Sequence, residues 1–151
     1  MKELREEIGL DEVSKRKQDH YLIMTIIYDE LVFLKSRVSP TDTIDSTILY
    51  SEIAGEEYAN ASDYVKKTIA AVNANYGKIA NTFIDNLKNW DWNRLSLVMR
   101  SILLMSYAHY YYVEKIDKAI VIDVAIRLTR QYVGEEDNCR FVNGILDKVL
   151  C

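Results

Sequence analysis

The feature that most constrains this chain is the stretch Trp90–Val113, WDWNRLSLVMRSILLMSYAHYYYV. Beyond Arg100 it runs through Ile102, Leu103, Leu104, Met105, Tyr107 and Ala108 to Tyr110, Tyr111, Tyr112 and Val113, and at helical pitch these point in every direction. A helix that is apolar all round is normally surrounded by other elements. A membrane span is the rival reading, but that needs about 18 uninterrupted apolar residues. Arg94, Arg100, Ser101, Ser106 and His109 break this run. The expectation is one central helix, Trp92–Val113, inside an all-α domain with no membrane segment.

Turn chemistry agrees. The 151 residues hold five glycines and one proline, Pro40, too few for a many-stranded sandwich or barrel. With 49% hydrophobic and 28% charged residues, the composition is that of a globular domain, and the length allows one proper core. A single domain over 1–151 is expected. Net charge −4 and a pI near 5.2 argue against coating nucleic acid by bulk electrostatics, although a local basic patch is compatible with them. The start, MKELREEIGL, has no continuous apolar core of the kind a signal peptide carries. Cys139 and Cys151 stand in no metal or redox spacing, which fits a reduced, cytoplasmic setting.

Taken in order, residues 1–13 are acidic and contain Gly9, which suggests a short separate helix or an N-terminal arm. The sign then reverses at Lys15-Arg16-Lys17, with His20 one turn on. Ile23, Ile26, Ile27, Leu31 and Leu34 recur at helical spacing, so a first long helix is expected from about residue 12 to 37, ending before Pro40. Its basic turn is either a phosphate contact, favoured by the positive end of the helix dipole, or a solvated polar turn.

A short helix follows over Ile44–Ile53, closed by Gly55. Residues 62–88 read as one long helix or two in tandem, with Gly77 where a bend is allowed. Ile116–Val133 is rich in β-branched residues, yet its length and its charge spacing favour helix over strand. Glu135–Asn138 can cap a last helix, Cys139–Leu150. The total is about six or seven helices.

No catalytic set assembles. His20 and His109 are far apart and lack metal-ligand spacing, and the glycines form no phosphate-cradling loop. The carboxylates at 135–137 read as capping residues rather than an acid/base pair. No enzyme activity, cofactor or metal is expected. Tyr107, Tyr110, Tyr111 and Tyr112 raise the question of base stacking, but aromatics on a central helix are more often core.

The ending is more specific. GEEDNCRFVNGILDKVL resembles the C-terminal signature of the NusB family, an acidic loop, a basic residue and then F-V-N-G-[IV]-L-D; here these are Glu136-Asp137, Arg140 and Phe141–Asp147. Trp90, Arg94, Leu95, Arg100, Ile102 and Leu103 follow the family's W-x-x-x-R-L…R-x-I-L pattern, and the basic turn leading to Tyr28 looks like its arginine-rich start. The resemblance is specific in the C-terminal third and rests on helix layout in the first half.

It implies a compact all-α fold of two packed helical halves. It also implies transcription antitermination or termination within the elongation complex, through boxA-type RNA bound together with the ribosomal protein NusE. Carried over residue by residue, the RNA-facing positions are Arg16, Lys17, His20, Asp137, Arg140 and Phe141. Cations supply the salt-sensitive phosphate contacts and an exposed aromatic can stack on an unpaired base, although Phe141 reads equally well as core. Asn143-Gly144 reads as structural, the glycine permitting close backbone approach.

Several positions depart from the family's pattern. Met99 stands for a common acid, Leu104 for an arginine, His109 for a glutamate, Asp117 for a proline and Val124 for a glutamate. Met99, His109 and Val124 mark the surface where the NusE contact would be altered. The alternative reading is a protein-interaction module that keeps the fold without RNA binding. A homodimer is a further expectation, because the family includes dimers.

Overall fold

The structure is a computed structural model that describes the backbone of residues 2–151 and the side chains of residues 14–151. Six α-helices follow one another: α1 (Lys2–Ser36), α2 (Ser46–Ala54), α3 (Asp63–Asn86), α4 (Leu97–Ala108), α5 (Lys118–Tyr132) and α6 (Glu136–Val149). No strand occurs among the described residues, and none of their helices is long and apolar enough to cross a membrane.

The stretch expected as one helix is three pieces. Trp92–Arg94 is a 3-10 turn, α4 follows, and His109–Val113 widens into a π-helical turn before extended backbone at Glu114. Ser96 begins α4 by accepting a hydrogen bond from the Met99 amide at 3.2 Å, so the cap fixes the start later than apolar periodicity suggests. Arg100 holds the 3-10 turn against α4, its guanidinium donating to the carbonyls of Leu95 (3.0 Å) and Asn93 (3.3 Å). The central position is as expected. Every residue from Ser101 to His109 is buried, and α4 touches α1, α3, α5 and α6. Ser101 and Ser106 lie in that core without cost because their hydroxyls donate to the carbonyls one turn back, both at 2.7 Å.

α1 begins at Lys2, well before residue 12, and runs on through Gly9 as one helix. α2 is shorter at its front than expected because Asp45 caps it, accepting from the Thr47 amide at 2.9 Å. Gly55 closes it with a φ of 71°, a conformation that suits glycine. Residues 63–86 form a single element, kinked at Asn75 (φ −125°) rather than at Gly77. There the Asn75 side-chain Nδ2 donates to the Ala71 carbonyl at 2.9 Å. α6 starts at Glu136, three residues before the expected Cys139.

Candidate nucleic-acid interface

The basic turn of α1 divides into two functions. Arg16 points inward. Its guanidinium donates twice to Glu114, at 2.8 and 3.0 Å, and lies 3.6 Å from the centre of the Tyr64 ring. Glu114 also meets His109 Nε2 at 3.1 Å. Burial alone would raise the Glu114 pKa; the hydrogen bonds from Arg16 and His109 outweigh it and hold the carboxylate below its ordinary range. Tyr64 is enclosed, with His109 4.8 Å and His20 5.6 Å away between ring centres. This is a charge-assisted clamp between α1, α3 and the turn after α4.

His20 is not a cation here. It is buried, and its pKa is pushed down to about 4, first by burial and then by the positive charges of Arg16 and Arg127. His109, also buried, is lowered by the same desolvation against the opposing hydrogen bond it donates to Glu114. Near neutral pH both rings are uncharged.

Lys17 points outward, exposed and without an ion pair among the described residues. It borders a cleft between α1 and α5 that also holds Tyr21, Val124, Arg127 and Tyr132. The Tyr21 and Tyr132 rings lie 5.7 Å apart at 38° and are 42% and 39% exposed.

The C-terminal candidates form a separate group. Asp137 and Arg140 pair with each other on the exposed face of α6. Phe141 is half-buried and packs on Trp90, with ring centres 5.1 Å apart; Trp90 is 55% exposed. Lys88, Arg140, Gly144 and Lys148 share the rim of the resulting cleft. A Cβ on Gly144 would meet nothing within 4 Å, so close backbone approach is not the reason for glycine there. That expectation is corrected: the glycine faces open space.

Met99, His109 and Val124 are likewise not placed as expected. All three are buried. Met99 and Val124 join the hydrophobic core and His109 its polar edge, so their side chains are not displayed as a partner surface in this conformation. Glu114, Tyr21, Arg127, Tyr132 and the surface role of Trp90 escaped the sequence reading. A signal for part of this existed: Lys17 and Tyr21 are four residues apart on α1, and Val124, Arg127, Leu128 and Gln131 follow one helical face of α5.

Comparison with known proteins follows the same lines. Residues 22–150 match the profile of the NusB family. The transcription antitermination protein NusB of Pseudothermotoga lettingae is 29% identical over 137 residues, 91% of each chain. That of Clostridium botulinum (strain Loch Maree / Type A3) is 38% identical over 88 residues, which span 58% of this chain and 62% of the relative. Among solved structures, T. maritima NusB superposes with a TM-score of 0.73 at 23% identity, covering 89% of both chains. A chain from a structure of antitermination factors NusB and NusE in complex with dsRNA superposes with a TM-score of 0.69 at 19% identity, covering 91% of this chain and 96% of that one. These structural likenesses concern the fold.

Proposed function

The chain belongs to the NusB family, and from that membership we propose that it is a cytoplasmic transcription antitermination protein that binds boxA-type RNA together with NusE. The observation that carries this reading is the family match over residues 22–150, shared with relatives named as antitermination proteins. The surface is compatible with it. Lys17 and the exposed face of Arg140 offer cations, and Trp90 and Phe141 offer ring faces. Cations give an electrostatic contribution that weakens with salt, and unpaired bases stack on aromatic rings. Met99, His109 and Val124 lie beneath the surface, so NusE would be met by their exposed neighbours.

The test is binding of boxA-containing RNA to the purified chain, with and without NusE, at two salt concentrations. Preference for boxA over a scrambled RNA, weaker at the higher salt, is the expected result. No preference even with NusE present sinks the reading. A second reading, an interaction module without RNA binding, is favoured by two observations: the net charge is −4, and Arg16, the innermost cation of the basic turn, is already bound to Glu114. It predicts a protein partner whose capture is insensitive to nuclease.

A further inference from the structure

We infer that the cleft between α1 and α5 is an RNA contact site, with Lys17 and Arg127 on a backbone phosphate and the Tyr21–Tyr132 pair against an unpaired base. This rests on the RNA-binding reading above and adds residues to it that neither the motif nor the basic turn designates.

The cleft has a volume of about 150 Å³, below the roughly 300–1,000 Å³ of pockets that enclose a free small molecule. It suits one contact within a longer ligand. Two cations border it, from different helices. Lys17 is exposed, and Arg127 is engaged only by Asp123 one turn away, at 3.3 Å, in a pair more than half exposed on both sides. Such a pair contributes little and gives way readily to a phosphate. Asp123 is the one carboxylate in direct contact with either cation among the described residues.

The rings select the kind of anion. Tyr21 and Tyr132 are tilted on one another and stand together at the surface, while Val124 and Leu128 provide an apolar floor and His20 lies beside them uncharged. An isolated acidic group would use the cations and leave the ring faces idle. A single-stranded nucleic acid uses both, because every base has a π-face and every residue of its backbone a charge. Exposed ring surface next to solvent-facing cations is the arrangement single-strand binders share.

Fluorescence anisotropy with a labelled single-stranded boxA-containing RNA tests this, on the full chain. Arg127→Gln, Tyr132→Ala and Tyr21→Ala are compared with Arg37→Gln, which changes an exposed cation just beyond the C-terminal end of α1. Thermal melts verify that each variant is folded. The expected result is a loss of affinity of at least about 5-fold for each tyrosine variant, with Arg127→Lys retaining most of what Arg127→Gln loses and Arg37→Gln unchanged. Arg127→Gln also flattens the dependence of log affinity on log salt by about 0.7. If the wild-type chain binds and the three cleft variants bind equally well, the cleft is not an RNA contact and the RNA reading stands without it. If those variants lose NusE while RNA binding is intact, the inference is overturned in favour of a protein surface. If the wild-type chain binds no boxA RNA with or without NusE, the underlying reading fails and the inference with it.

Discussion

Arg16 and Glu114 are joined by two hydrogen bonds, 2.8 and 3.0 Å long, across 98 positions of sequence. The contact ties the basic turn of α1 to the segment that leaves the central helix, and Tyr64 of α3 lies under the guanidinium. Adjacent cations therefore do different work. Arg16 holds three parts of the fold together, and Lys17 faces solvent.

That division predicts opposite mutational signatures. Arg16→Ala breaks an ion pair that is 38% exposed on each side and uncovers Tyr64, so it lowers stability by about 1 kcal/mol. Lys17→Ala changes stability by no more than about 0.5 kcal/mol. Urea denaturation of the two variants checks this. Equal effects would mean that the clamp contributes nothing. Glu114→Gln provides the converse test on the RNA-binding reading: it weakens the clamp, frees the Arg16 charge, and raises RNA affinity while stability falls.

Acid should weaken the fold through its buried histidines, against the opposing effect of Glu30, whose carboxyl burial pushes up. The His20 pKa is lowered from 6.5 to about 4, first by burial, so between those values the unfolded chain binds a proton that the folded chain refuses. Stability therefore rises with pH through this window and falls as pH drops below about 6.5, by up to about 3 kcal/mol at pH 4 from this residue. The lowered pKa of His109 acts in the same direction. Glu114, held below its ordinary value of 4.5, stays ionised over the upper part of this range. Its contribution is lost only at lower pH. Chemical denaturation from pH 7 to pH 5 should show a falling midpoint, with a shallower fall for His20→Gln. A flat midpoint in the wild type would overturn the assignment of neutral, buried histidines.

The central helix was legible because burial on all sides leaves a direct compositional trace. Replacing Leu103, fully buried in α4, by alanine should cost about 2–5 kcal/mol. The same truncation at Ile120 of α5, 51% exposed, should cost far less. Denaturation midpoints distinguish them, and comparable losses would contradict the enclosed position of α4.

Where the sequence misled, the reason was local or long-range geometry that periodicity does not encode. Ser96 caps α4 and the π turn at His109–Val113 ends its regular pitch, yet apolar residues continue past both points. Arg16 and Lys17 look equivalent as neighbours in a basic turn; only the fold brings Glu114 to one of them. His20 carries a cationic expectation that burial cancels. Met99 and Val124 depart from the polarity of the family's pattern, and the structure buries them in the core. In the C-terminal motif the spatial relation of Arg140, Phe141 and Gly144 was legible, because they lie on one short helix whose own pitch sets it.

Gly144 gives that motif its clearest test. It lies inside α6, its missing Cβ faces open space, and it borders the cleft of Trp90 and Phe141. A glycine within a helix costs about 1 kcal/mol relative to alanine through backbone entropy, and here packing gives nothing back. Gly144→Ala should therefore stabilise the chain by about 0.5–1 kcal/mol, read from the denaturation midpoint. On the RNA-binding reading, the open space is what a ligand on the Phe141 ring occupies. Gly144→Leu then weakens boxA RNA binding while leaving the chain folded. Destabilisation by the alanine variant would show that the helix here needs glycine for its own packing. Unchanged RNA binding by the leucine variant would remove the cleft from the interface.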